Sequence, residues 1–337
     1  MNLQVSKIAI PLFLVLVLMT ACGSPAGEGR LPGEEISGTG VPEVTETIQP
    51  TILPSQTPRP SQTPEPSLTP TPTITPTVVL PPQPQQISFQ AEDGQELLGT
   101  YYPASQNPAP VLVLMHWARA DQGSWAPIAA WLQNRGLETG AGGQQPWLRP
   151  GWFPDRTGES EIGVFTFTFR NCQGGCRGYP AGGWLLDAQA AVLQASQLPG
   201  VNPDHILTAG ASTGADGAVD ACRWLNEQGS EPRCRGAFAF SPASFLTVPY
   251  RDAAVEILNG DPPGTVYCLY DRRDDAAMET CQQVEEAVVV DYGYVHKHGM
   301  ELIDPNLDPP ALELLGDFIE GSYRESRPGQ ENQEGES

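Results

Sequence analysis

The sequence predicts an α/β fold: a mostly parallel, doubly wound sheet with helices on both faces and an antiparallel hairpin on its N-terminal side. Three observations carry this. Short, continuously apolar runs such as residues 111–115 alternate with longer runs of helical period. Strands that are apolar on both faces belong to parallel sheets covered from both sides. Two strand-like runs, 87–91 and 96–102, are separated by Asp93-Gly94, a pair suited to a tight hairpin turn. Finally, the stretch Gly210-Ala211-Ser212-Thr213-Gly214 joins an apolar run to a helical one, and small residues are what let a strand and the following helix approach closely.

In chain order, the hairpin is followed by a buried strand at 111–115 and a helix at 125–135. Next come a strand at 164–169, a helix at 184–198 with an alanine-rich face, and a strand at 206–209. A helix at 215–225 leaves the glycine-rich turn. Further strands are expected at 236–240, 266–270 and 288–292, and further helices at 276–287 and 309–321. Residues 138–162, with Trp147, Trp152 and Phe153, have no strong period. This insertion joins a helix to the next strand, so it emerges at the N-terminal ends of the strands, away from where ligands sit in such sheets. A lid role would require it to wrap around the sheet edge. The folded part spans 86–323, a single domain's length, and the polar residues 324–337 form a frayed tail.

The N-terminal quarter has a different composition. Lys7 precedes a short apolar run at 8–19, which ends in Leu18-Met19-Thr20-Ala21-Cys22. Residues 1–21 thus read as a signal segment too short for a comfortable transmembrane helix. The run resembles a bacterial lipobox, with Met19 where leucine is usual. That resemblance implies lipidation of Cys22 and a protein exported and anchored to the cell membrane, facing away from the cytoplasm. Residues 22–85 hold a large share of the 35 prolines, with Thr, Ser and Gln between them. Such a tract buries no core and favours extended conformations, so it reads as a disordered spacer. Its Thr-Pro repeats also permit O-glycosylation.

Charge and cysteine content agree with an exposed, exported domain. The formal net charge of -22 argues against a nucleic-acid partner, which needs a basic footprint. Of seven cysteines, six remain once Cys22 is set aside, an even number consistent with disulfides outside the cytoplasm. Many pairings are possible. Proximity in the chain favours Cys172 with Cys176, Cys222 with Cys234 and Cys268 with Cys281.

The chemistry is carried by G-x-S-x-G. A serine on a tight strand-to-helix turn lifts its hydroxyl above the sheet edge. A serine nucleophile needs a base within hydrogen-bond reach, and that base needs an orienting acid. After Ser212 only two of the four histidines remain, His296 and His298. Both follow the 288–292 strand. The acid candidates are Asp271, Asp274 and Asp275, just past the 266–270 strand. His205 stands at the start of a strand, at the wrong end of the sheet. Asp187 and Asp216 read as helix-surface or first-turn carboxylates.

Taken together, residues 86–323 resemble the α/β-hydrolase superfamily, in particular dienelactone-hydrolase-like and small serine esterases. The matching features are the strand ending in His116, the strand-end Arg170, the Ser212 turn, the Asp271–Asp274 turn and His298-Gly299. The resemblance implies an α/β-hydrolase fold with Ser212 as nucleophile, His298 as base and Asp274 as acid. It implies an oxyanion hole from the backbone N–H groups of Thr213 and Trp117, with His116 supporting that turn. His116, Arg170 and Ser241 are candidate site-lining residues. Trp117 and Asp271 stand where the family usually has glycine. The implied activity is hydrolysis of small or medium carboxylic esters with no metal and no cofactor. A serine peptidase or thioesterase on the same fold, and a binding lipoprotein that has lost turnover, remain alternatives. Oligomeric state is not readable.

Overall fold

The computed structural model describes residues 83–135, 150–155 and 161–325. The signal segment, Cys22, nearly all of the proline-rich spacer, Trp147 with most of the 138–162 insertion, and the end of the tail lie outside the described residues.

Gln85–Gln90 (β1) and Glu96–Tyr102 (β2) pair antiparallel. Gly94 at their turn has φ +82, a left-handed conformation glycine takes without strain. The other strands are Ala109–Met115 (β3), Gly163–Thr168 (β4), Val201–Ala211 (β5), Cys234–Phe240 (β6), Thr265–Tyr270 (β7) and Val288–Asp291 (β8). They form one eight-stranded sheet in the order β1-β2-β4-β3-β5-β6-β7-β8. Only the β1–β2 and β2–β4 pairs are antiparallel. Every residue of β3 is buried, as expected for a central strand apolar on both faces.

The helices are Ala126–Leu132 (α1), Ala181–Ser196 (α2), Thr213–Glu227 (α3), Tyr250–Leu258 (α4), Asp275–Cys281 (α5) and Ala311–Glu325 (α6). One apolar layer joins α2, α3, α4 and α5 to the sheet; the other joins α1 and α6. Strand order, edge hairpin and two-sided covering together make this the α/β-hydrolase fold.

The structure adjusts several expected boundaries. α1 stops at Leu132 instead of running to 135, because Asn134 turns into the left-handed region (φ 49) and the Gln133 amide donates to the carbonyls of Tyr102 and Ile162. α2 starts three residues earlier than expected, directly after Pro180. α5 ends at Cys281 rather than 287. β5 is extended backwards to Val201, which pairs with Ala109. α4 was not expected at all. Of the 138–162 insertion, Trp152 and Phe153 pack against the α1 layer, and Trp131 Nε1 donates to the Pro154 carbonyl at 2.7 Å.

The disulfides are Cys172–Cys176, Cys222–Cys234 and Cys268–Cys281. The first closes a loop after β4, the second ties α3 to the start of β6, and the third ties β7 to α5. Because β3 through β8 run parallel, the loops that leave β3, β5, β6, β7 and β8 share one end of the sheet.

Candidate active site

Ser212 sits between the last residue of β5 and the first of α3, with φ 54 and ψ -120. A non-glycine residue there stores roughly 1–3 kcal/mol and persists only where its surroundings enforce it. Those surroundings are specific. The Ser212 N–H donates to the Phe240 carbonyl at 2.8 Å, and its own carbonyl accepts from the N–H of Ala215 at 2.9 Å. A Cβ at Gly210 would lie 1.9 Å from the Gly214 carbonyl oxygen, and one at Gly214 would lie 2.2 Å from that of Met115. Both glycines of the motif are therefore required by backbone approach. Thr213 opens α3, so its N–H is among those without an intrahelical acceptor, at the positive end of the helix dipole.

The turn after β3 lies against this elbow. His116 is fully buried, and its Nε2 accepts the Phe169 N–H at 3.0 Å. An accepting Nε2 leaves the proton on Nδ1, which donates to the Trp117 carbonyl at 2.7 Å. Burial pulls the ring down to about 4, so it is neutral near pH 7. His116 thus fixes the Trp117 backbone from behind. The Trp117 indole stacks near-parallel on the His298 ring, with centroids 6.5 Å apart. Gly299 makes room for it: a Cβ there would come 3.0 Å from Trp117 Cε3 and 3.6 Å from the Ala211 Cβ. Gly299, the neighbour of His298, therefore lies close to both Trp117 and Ala211, the residue before Ser212. Tryptophan in place of the usual glycine is accommodated by this packing.

Of the acid candidates, Asp274 faces the histidine: its Oδ2 is 2.5 Å from His298 Nδ1. It also caps α5 through Oδ1, which accepts from the Ala277 N–H at 3.3 Å. Asp275 is the exposed first residue of α5. Asp271 is fully buried and serves otherwise. Its Oδ1 accepts the Arg273 N–H at 2.8 Å and its Oδ2 the Lys297 N–H at 2.6 Å. One carboxylate therefore joins the loop carrying Asp274 to the loop carrying His298, something glycine could not do.

The histidine loop has further ties. Glu301 accepts from the His298 N–H at 3.1 Å, and the buried Ser241 hydroxyl accepts from the Gly299 N–H at 3.0 Å. Ser241 is thus a support of the loop. His296 is exposed with φ 59, while His298 holds the Asp274 contact.

Two sequence readings need correction, those of Arg170 and Asp187, and the role of Asp216 is larger than its first-turn position suggests. Arg170, a candidate lining residue, has its guanidinium bound to Asp93 at 2.6 Å and to Asp187 at 2.7 Å, pinning the β1–β2 turn to α2. Asp187 is fully buried, not on a helix surface, because Arg170 compensates its charge. Asp216 does lie in the first turn of α3 but is also fully buried. It accepts the N–H of Ala243 at 3.1 Å and that of Phe245, so it holds the loop after β6 against α3. Sequence reasoning missed this role and those of Asp271 and Glu301. The available signals were the position of Asp216 four residues after Ser212 and of Glu301 three after His298.

A separate cavity of about 1170 Å³ lies over β1, β2 and β4, lined among others by Thr100, Gln122, Thr168 and Arg170. None of Ser212, Asp274 and His298 lines it. It offers no strained nucleophile and no histidine.

No protein-family model matches the chain, and no curated protein matches it. Among solved structures the chain is similar to the Pyrococcus furiosus esterase Pf2001, at 16% identity and a TM-score of 0.48, covering 73% of this chain and 96% of that one. It is also similar to an esterase of Pyrobaculum calidifontis, at 16% identity and a TM-score of 0.47, covering 71% and 86%. A third similarity is to the dienelactone hydrolase of Anabaena variabilis, at 12% identity and a TM-score of 0.44, covering 72% and 98%.

Proposed function

We propose that the protein is a serine hydrolase that cleaves carboxylic esters through an acyl-enzyme. The observation that carries this reading is the 2.5 Å contact between His298 Nδ1 and Asp274, on loops that pack against the strained turn of Ser212. With Nδ1 committed to Asp274, Nε2 is the nitrogen left to take the proton of Ser212. Ser212 Oγ attacks the ester carbonyl, and His298 removes its proton and returns it to the leaving alkoxide. Asp274 holds the ring's orientation and stabilises the imidazolium. The Thr213 N–H and Trp117 N–H donate to the oxyanion, a contribution that counts because both are set before the charge develops. Water then hydrolyses the acyl-enzyme by the same steps in reverse roles.

The lipobox-like run ending at Cys22 and the proline-rich residues 22–85 support a further part of the reading. The domain works outside the cytoplasm, tethered to the membrane by a lipidated Cys22, since several acyl chains hold a protein there firmly where one does not. The three disulfides fit that compartment.

A panel of p-nitrophenyl esters from acetate to octanoate, a matched thioester and a peptide amide tests the activity. Preferred turnover of the esters, absent in Ser212→Ala, is the expected result. Preference for the thioester or the amide would transfer the same site to those substrates. No turnover of any member would leave a binding protein on this fold. Loss of the protein from the membrane fraction in Cys22→Ala tests the tether.

A further inference from the structure

We infer that the loop closed by Cys172–Cys176 is a positioning clamp on the oxyanion turn, and that reducing this one disulfide lowers turnover without unfolding the domain. The inference rests on the hydrolase reading of the site.

The loop is bonded to the turn on the far side of Trp117 from His116. The Cys176 N–H donates to the Ala118 carbonyl at 3.1 Å. The Gly174 N–H donates to Asp121 Oδ2 at 2.9 Å, while Asp121 Oδ1 accepts from Gly123 at 2.9 Å. Between these anchors Gly175, with φ +115, packs against the Arg119 backbone; a Cβ there would lie 3.6 Å from its carbonyl oxygen. Residues 118 to 121 are thus held from outside by the disulfide loop. The loop's other end reaches the same turn: the Cys172 N–H donates to Phe169 at 3.2 Å, and the Phe169 N–H donates to His116. Trp117, whose N–H is the second oxyanion donor, sits in the middle of this closed circuit.

Two comparisons among the disulfides separate local positioning from general stapling. Cys172 and Cys176 are only four positions apart, against 12 and 13 for the other pairs. A shorter closed loop removes less freedom from the unfolded chain, so this bond contributes least to global stability by that route. It is also the accessible one. Its Cys172 is buried but its Cys176 is only half-buried, whereas both cysteines of each other pair, Cys222, Cys234, Cys268 and Cys281, are buried. Thiol–disulfide exchange requires access to a sulfur, so a dithiol attacks here first. One disulfide and one dithiol give two cysteine thiols and the cyclic, oxidised dithiol; electrons and protons balance with no other reactant.

The experiment treats the full exported chain with limiting dithiothreitol, alkylates it, and identifies the opened pair by peptide mass. Alongside it, Cys172→Ser/Cys176→Ser is made as a permanent mimic. On p-nitrophenyl butyrate, kcat should fall ~10-fold or more while KM stays within ~2-fold, since a displaced oxyanion donor loses up to ~10²–10³. Reoxidation before alkylation should restore kcat. Hydrogen exchange should quicken in the peptide spanning 117–123 and stay unchanged in the one spanning 295–301. If wild type turns over esters, unchanged kcat overturns the inference. If it turns over none, the hydrolase reading fails, and exchange alone decides whether the clamp exists. Unchanged exchange at 117–123, or equal loosening of both peptides, overturns it. Should the double variant fail to fold, Asp121→Asn replaces it, removing one carboxylate acceptor from the bridge. It should quicken exchange at 117–123 and lower kcat by a smaller factor.

Discussion

Just before β5 begins to pair with β6, His205 Nε2 meets the Ser322 hydroxyl at 3.0 Å; where β5 ends, Ser212 precedes Thr213, the first residue of α3, beside the loop that holds His298. The residue types are the same and the physics is not. His205 and Ser322 lie within a strand and a helix; the two serines are buried alike, Ser212 at 7% and Ser322 at 8% exposure, so burial does not separate them. The Ser322 hydroxyl donates to the Ile319 carbonyl, and burial with nearby Arg235 pulls His205 down to about 4. Ser212 lies between elements, in a backbone conformation the fold enforces. The His298 side chain is 30% exposed and has a carboxylate on Nδ1. A serine touching a histidine is therefore not yet a nucleophile and its base. What differs is which end of the parallel strands they occupy, and whether an acid orients the ring.

The sharpest way to break this contrast is to remove each serine. Ser212→Ala should lower ester turnover by ~10⁴-fold or more with the melting temperature little changed, because catalysis needs the hydroxyl and packing hardly does. Ser322→Ala should leave kcat within ~2-fold. A large loss in the second variant would undo the distinction between the two ends. His298→Ala should lose nearly as much as Ser212→Ala, and the double variant little more, since such residues act as a unit. His296→Ala should keep most activity; the opposite ranking would move the base.

A smaller effect is expected from the bridge between the acid and histidine loops. Asp271→Asn retains one acceptor and loses the other. Steady-state kinetics should show kcat down by ~10–100-fold with the side chains of Ser212, His298 and Asp274 intact, the loss typical of a slightly misplaced group. An unaltered kcat would show that the two loops hold their places without it.

The smallest effect concerns stability away from the chemistry. Both Asp220 oxygens and the Tyr250 hydroxyl are buried without hydrogen-bond partners among the described residues, between α3 and α4. Burial pushes Asp220 up to about 8; the Asp216 charge adds to this and Arg223 opposes it. Asp216 moves the same way, to about 7, against the loop N–H donors that lower it. An unfolded aspartate titrates near ~3.9, so between that pH and about 8 the folded state keeps protons the unfolded chain releases. Stability therefore falls as pH rises through that window and levels off above it. Melting curves from pH 4 to 9 should show this fall, and Asp220→Asn should make it shallower. Parallel curves for the two proteins would count against a neutral Asp220.

Much of this was legible in the sequence because it depends on order and period. Apolar runs located the strands, the glycines of the Ser212 turn marked a close backbone approach, and the scarcity of histidine left two candidate bases. What was not legible depends on which element a side chain meets. Arg170, Asp187 and Asp216 look like ordinary polar residues until α2 and α3 are packed on the sheet. Only then do the two carboxylates find a guanidinium and a loop's N–H groups. Asp271 could be seen to replace a glycine, but not to reach the Lys297 N–H 26 residues away. α4 was legible and overlooked: Tyr250, Ala253, Ala254 and Ile257 have the i, i+3, i+4, i+7 spacing of a buried helical face.

The most direct measurement is covalent labelling with a serine-reactive fluorophosphonate, followed by peptide mapping. A single adduct on Ser212 is predicted, absent from Ser212→Ala and at full stoichiometry in Ser322→Ala. An unlabelled wild-type protein, or an adduct that persists on another serine when Ser212 is gone, would contradict the assignment of the exit end of β5 as the catalytic one.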